Sequence, residues 1–389
     1  MTSRLVEDRA TCVVRRVEAV ADISRASWDA LVAPGDLYTS YAWVRHLEDV
    51  LGPAPVLACQ SNGEVVGVLP LWDGESGRQG LFHLPDFFPG LDGLWSQRYR
   101  WLGARRATHN TLASTTGAER TTVLRMLLSA AIDGATDDGL AGVIMPYLPL
   151  MSAVELGAAH PDARVLVHSA EAVVTVPSDG WHELGQRASS HNRKLRRHEL
   201  RDFARHGLAV EYTELTDSVA EESAMLIAQT RHKHGSRDGV DWMRDVFAAQ
   251  RRAGLLDRAV AISCRRAGKL AAVAICYPHG DRLHGRYFGA DYAQSRRANA
   301  YFVATFHAPL HHAVSAGFRQ VDLSISSLEA KVRRGATLEP LAAVVLTDDK
   351  RLPSRDAVAA HNLRVAASYR ERFSTYPWSL SPTWPITTL

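Results

Sequence analysis

VLACQSNGEVVGVLPLW (Val56–Trp72) and AISCRRAGKLAAVAICY (Ala261–Tyr277) are the two stretches on which the fold turns. Each reads as strand, tight turn, strand, with a glycine that takes positive φ without steric penalty at the turn. Aligning Gly63 with Gly268 also superposes Cys59 on Cys264, Val65 on Leu270 and Val68 on Val273. The repetition predicts two similarly built halves. The length agrees, because 389 residues is long for a single core.

Working outward from the first hairpin, TCVVRRV reads as a strand and SRASWDALVA as a helix. SYAWVRHLEDVLG is a second helix, with Trp43, Leu47 and Leu51 on one side and Gly52 at its end. The aromatic run LFHLPDFFPGLDGLWSQRYRWLG fits no regular element, and GLAGVIMPYLPL reads as a buried strand. EAVVTVPS (residues 171–178) is expected to be a strand leading into the second half. Around the second hairpin, DWMRDVFAAQRRAG and AYFVATFHAPLHHAVSAG read as helices, and RLHGRYFGADY, FRQVDLSI and LAAVVLT as strands. The expected architecture is therefore α/β in each half, as domains 1–172 and 173–389.

An apolar content of 46% and a charged content of 22% describe an ordinary globular chain. The opening MTSRLVEDRA lacks the apolar run of a secretory signal, and no stretch is long enough to span a bilayer, so a cytoplasmic protein is expected. Cys12, Cys59, Cys264 and Cys276 show neither CxxC spacing nor a zinc pattern with nearby histidines, so free thiols and no metal are expected.

The net charge is only +3, yet SSHNRKLRRHELRDFARHG (residues 189–207) sets Arg193, Arg197, Arg201 and Arg205 at a spacing of four. On a helix beginning near Trp181, apolar Leu184, Ala188, Leu195 and Phe203 share one side and these arginines the other. Such a row runs roughly 18 Å along the axis and repels itself, which an anionic partner relieves. A solvated outer face is the plain alternative. Arg196 falls on the apolar side, where a charge needs a partner or must snorkel. A phosphate-bearing ligand is the favoured reading, since each arginine can bind phosphate bidentately.

From the basic "R..KLRR.ELR.F...G" helix through the hairpin, GRYFGADY, an apolar helix and "GFRQVDLS.....KVRRG", the chain resembles the FemAB-like branch of the GNAT acyltransferase superfamily. The match covers about Val174 to Leu346, and the stretch from WDALV to GVLPLW looks like the divergent first domain of that branch. The resemblance implies two tandem GNAT-like domains, each a mixed sheet flanked by helices, with a ligand cleft near their junction. It also implies transfer of an acyl or aminoacyl group to an amine, from aminoacyl-tRNA in FemAB-type members or acyl-CoA in ordinary GNAT members. By position it carries donor-phosphate contacts to Arg193, Lys194, Arg196, Arg197, Arg201 and Lys331, and catalytic roles to Tyr287, Asp291 and Asp322.

One departure bears on the donor. No glycine lies between Gln294 and Phe302, where the superfamily's pyrophosphate loop belongs, so Arg296 and Arg297 would have to bind phosphate by side chain. Together with the length of the arginine row, this favours aminoacyl-tRNA over acyl-CoA as co-substrate, with no other cofactor. The expected function is amide formation on a small-molecule amine or cell-wall precursor. The alternatives are an acyl-CoA-dependent N-acyltransferase and a non-catalytic RNA-binding protein. Amine attack on an activated ester needs placement and oxyanion stabilisation rather than a nucleophilic triad.

Overall fold

The computed structural model describes residues 12–74, 80–177, 190–295, 297–347 and 352–385. The first half supplies β1 (Cys12–Val17), α1 (Tyr41–Leu51), β2 (Val56–Ser61), β3 (Glu64–Asp73), β4 (Arg100–Leu102), β5 (Ala113–Ser114), α2 (Arg120–Asp137), β6 (Val143–Pro149) and α3 (Leu150–Ala158). After β7 (Arg164–Thr175) come α4 (Ser190–Arg205), β8 (Leu208–Glu214), α5 (Asp217–Lys233), α6 (Val240–Arg252), β9 (Val260–Arg266), β10 (Lys269–His279) and β11 (Arg282–Ala290). The chain continues through α7 (Ala308–Ala316), β12 (Gln320–Asp322), α8 (Leu328–Val332), β13 (Thr337–Leu346) and α9 (Arg355–Arg372).

Both hairpins form as the sequence predicts. Asn62 and Gly63 at one turn, and Ala267 and Gly268 at the other, have φ of 51° and 83°, and 46° and 78°. Two positive φ values in a two-residue loop match the right-handed twist of the flanking strands. Around them the pairing repeats: β1-β2-β3-β4 are antiparallel neighbours and β4 pairs β6 parallel. In the second half β8-β9-β10-β11 are antiparallel neighbours and β11 pairs β12 parallel. The fold is α/β, built from two such halves.

The halves share one sheet, ordered β1-β2-β3-β4-β6-β13-β7-β12-β11-β10-β9-β8. Its centre is a reciprocal exchange. β7 follows the first half in sequence but pairs with β12, while β13 follows the second half but pairs with β6, and the two exchanged strands pair with each other. Residue 172, where the sequence suggests the first domain ends, falls inside β7. A register shift in the β7–β13 pairing is completed by α9: Asn362 accepts from Val167 N–H (2.8 Å) and donates to Val165 C=O (2.9 Å), while His361 Nε2 donates to Val167 C=O (3.0 Å). Buried backbone groups freed by a bulge need such partners.

On one face α5 lies directly on β11. A Cβ at Gly289 would stand 2.4 Å from Ile227 N, so only glycine permits this contact. Gly289→Ala is expected to destabilise the protein by about 1–3 kcal/mol, since backbone cannot yield as a side-chain tip does. Urea denaturation measures this, and an unchanged midpoint would show that the helix shifts freely on the sheet.

Candidate active site

The parallel pair β11–β12 holds together over three residues, Arg282 to His284 against Gln320 to Asp322. Beyond them the strands part. Gly285 to Phe288 and the loop Leu323 to Ser327 border a cavity of about 410 Å³, closed on one side by Tyr301 and Thr305 and floored by Lys331. A bulge at Arg286 shifts the β10–β11 register between Ile275 and Cys276, so Arg286 and Tyr287 both approach the aromatic cluster around Tyr38 and Trp43. Thr305 lies in a π-helical turn, Val303–His307, that widens the helix leading into α7. Such turns insert one extra residue and recur at functional sites.

The equivalent gap in the first half is filled. Between β4 and β6, buried Asn110 accepts from Ala104 N–H (2.9 Å) and donates to Pro146 C=O (2.9 Å), while its own N–H donates to Tyr147 C=O (2.8 Å). A cavity of about 20 Å³ remains there. Tyr147, opposite the plug, holds a left-handed φ of 56°, a conformation that costs an aromatic residue about 1–3 kcal/mol. The halves thus share a topology, while the larger opening belongs to the second.

The plugging loop also builds the seam between the halves. His109 Nδ1 donates to both carboxylate oxygens of Glu171 on β7 at 2.9 Å. Burial alone would lower this imidazole, but the Glu171 charge and hydrogen bond outweigh it and raise His109 to about 9. Next to it, His284 Nε2 donates to Gly35 C=O (2.9 Å) and Nδ1 stands 2.9 Å from Asp322 Oδ2. Burial would raise Asp322, yet His284 and then His109 hold it down to about 2. Thr108 Oγ1 lies 3.4 Å from Ser324 Oγ, joining the seam to the rim of the cavity.

Tyr287 and Lys331, both singled out from sequence, line this cavity. Asp322 lies in the seam beside it. Asp291 does not join them: past the end of β11, its carboxylate accepts from Ala293 N–H (2.9 Å) and Gln294 Nε2 (2.6 Å) and caps a short turn. Arg193, Lys194, Arg197 and Arg201 are exposed on α4, and Arg197 and Arg201 donate from Nε to the carbonyls of Arg193 (3.4 Å) and Arg197 (3.2 Å). Arg196 is half-buried, and burial lowers its guanidinium. α4 is fastened by buried Glu199, which accepts from His307 Nε2 (2.6 Å) and Arg334 Nε (3.1 Å). Arg297 is exposed, and Arg296 lies outside the described residues, as does the run from Trp181 to Ser189.

Lys331 is the most perturbed amine. Its Nζ donates to Leu323 C=O and to Ser324 C=O (3.2 Å), and burial pushes it down to about 7. Sequence reading missed Arg286, His109, Glu171 and His284. His109 and Glu171 stand in an irregular and an apolar stretch and meet only across the halves, while His284 and Arg286 are near neighbours on β11. Among the described residues no group of three or more His, Cys, Asp or Glu has the geometry of a metal site. No helix of the described residues is long and apolar enough to cross a membrane.

Residues 107–376 match the FemAB-like family, described by its role in peptidoglycan biosynthesis and recognition, and the chain belongs to that family. Membership supports a transferase role. The crystal structure of FemX superposes with a TM-score of 0.55 at 12% identity, over 86% of this chain and 97% of FemX. A conserved protein of unknown function from Bacteroides thetaiotaomicron gives 0.53 at 13% identity, over 84% and 98%. A tandem GNAT protein from the clavulanic acid biosynthesis pathway gives 0.48 at 12% identity, over 88% and 100%. At such identities these likenesses concern the fold. No curated protein matches in sequence.

The seam makes stability depend on pH. A group raised from an ordinary value near 6.5 to about 9 contributes fully below 6.5 and loses its contribution as pH climbs through 9. Glu171→Gln is therefore expected to cost about 3 kcal/mol at pH 6, with the difference from the unaltered protein shrinking by pH 10. Denaturant titrations at the two pH values measure it, and a constant difference would mean that His109 is neutral throughout.

Proposed function

We propose that the protein is an amide-forming aminoacyltransferase that takes its group from an aminoacyl-tRNA and delivers it to the amine of a peptidoglycan precursor or similar small molecule. The observation that carries this reading is the cavity between β11 and β12, with a perturbed amine in its floor and an exposed arginine helix in the same half. Family membership supports the acceptor class. The span of Arg193, Arg197 and Arg201 along α4 suits several phosphates of a nucleic-acid backbone better than one compact pyrophosphate.

In this reaction the acceptor nitrogen attacks the ester carbonyl carbon. The C–N bond forms, the bond from that carbon to the ribose oxygen breaks, and the oxygen leaves as a hydroxyl. One proton must leave the amine. Asp322, held near 2 and already engaged by His284, is a weak acceptor for it. Lys331 is better matched. A neutral amine has two N–H bonds, which the carbonyls of Leu323 and Ser324 use, and one lone pair left for the cavity. Its value near 7 suits a group that accepts the proton and returns it to the leaving oxygen. Tyr287 lines the same cavity, and its hydroxyl is the donor we assign to the developing oxyanion.

Two tests follow. Transfer should rise about tenfold per pH unit below 7 and level off above it, because Lys331 works unprotonated, and Lys331→Met should lower the plateau about 100- to 10,000-fold. A pH profile unchanged in shape by Lys331→Met would remove Lys331 from the chemistry. Arg193→Ala/Arg197→Ala should weaken binding of charged tRNA and flatten its salt dependence by about two in the log–log slope. Binding of acetyl-CoA without tRNA would overturn the donor assignment and leave an acyl-CoA-dependent N-acyltransferase.

A further inference from the structure

The wall of the β11–β12 cavity contains Arg286, Lys331 and His234 but no aspartate or glutamate. In a chain with 42 carboxylates, an entirely uncompensated wall points to a ligand of opposite charge. Lys331 is satisfied by two carbonyls and needs no partner in its neutral form. Arg286 is different. Its guanidinium stays charged under all ordinary conditions. Around it lie the rings of Tyr38, Trp43 and Tyr287, with centroids 5.4 to 5.8 Å away. Its Nη2 donates to Arg106 C=O over a long 3.4 Å, the Tyr287 hydroxyl is its side-chain hydrogen-bond partner, and its buried Nε has no acceptor.

Other buried basic side chains are handled differently. His109 has Glu171, His284 has Asp322 and Arg334 has Glu199. Among the described residues Arg286 has no carboxylate within 4 Å. Aromatic faces attract a guanidinium but do not replace the in-plane acceptors that its N–H groups need. A planar anion with two oxygens would supply them.

We propose that the cavity recognises its substrate through a free carboxylate held by Arg286, so that one of the two molecules joined is a carboxylate-bearing amino or acyl compound. A carboxylate fits better than a phosphate, because a single guanidinium between rings matches a planar monoanion in shape and charge. The inference rests on the transferase reading only in taking this cavity for the substrate site. It is independent of whether the donor is tRNA or a thioester.

The test is a binding measurement on the full chain without any donor. Succinamate, which carries one carboxylate, its neutral amide succinamide and inorganic phosphate are titrated by calorimetry at matched ionic strength, against the unaltered protein, Arg286→Lys and Arg286→Gln. Succinamate is expected to bind about ten- to a hundredfold more tightly than succinamide, with that preference partly kept in Arg286→Lys and lost in Arg286→Gln. Equal binding of succinamate and succinamide, no succinamate binding, or a preference that survives Arg286→Gln would overturn the proposal. Phosphate binding most tightly and vanishing in Arg286→Gln would overturn it too, in favour of a phosphate subsite. Should Arg286→Gln fail to fold, the succinamate-to-succinamide ratio on the unaltered protein and Arg286→Lys still decides. Failure here leaves amide transfer standing, and a failed transfer assay leaves this measurement intact.

Discussion

The pairing of β7 with β13 is the constraint on which the rest of the molecule depends. From Arg164↔Val345 to Val173↔Thr337 the two strands run antiparallel through the middle of the sheet, each completing the other half's set. Without β13, β6 has an open edge, and without β7, β12 has one. Exposed edges of buried apolar strands are unstable against misassociation. The exchange therefore makes the halves mutually obligatory, although their internal pairing is repeated. It also fixes the site: Glu171 is carried on β7, Asp322 on the β12 beside it, and His109 reaches both from a first-half loop.

The two halves show how one topology can be open in one copy and filled in the other. In the first, a single amide side chain satisfies the backbone groups that a parted parallel pair leaves unmatched. In the second, those groups border a cavity instead. The charges around the opening follow a pattern as well. Carboxylates are drawn back into the seam, each engaged with a histidine, and cations are left at the wall. Buried pairs contribute little net stability once their desolvation is counted, so their value here lies in fixing the relative position of the halves.

Much of the fold was legible because hairpins are local. Asn62–Gly63 and Ala267–Gly268 announce their turns, and the apolar runs beside them can only be strands. What the sequence did not reveal depends on distant partners. β8, read as LAVEYTE, looks like a linker because an edge strand carries charges on an exposed face. α2 and α3 went unassigned, and α9 hides its role because His361 and Asn362, polar by type, are among its deepest residues and serve the bulge in β7. For the site, Tyr287, Asp322 and Lys331 could be anticipated from resemblance and from the scarcity of lysine. Arg286 could not, since its isolation from carboxylates is a property of the assembled cavity.

The strand exchange has a temporal side. β6 is matched with residues roughly two hundred positions further along the chain, a separation that slows folding because distant segments must meet before either is rewarded. During synthesis the first half emerges long before its missing strand, and the sheet can close only when the segment around Leu341 has left the ribosome. The cavity and seam therefore come into being together and late. An unfinished chain carries the arginine helix but not the completed site, so any ligand that the helix attracts early meets a protein that cannot yet act on it.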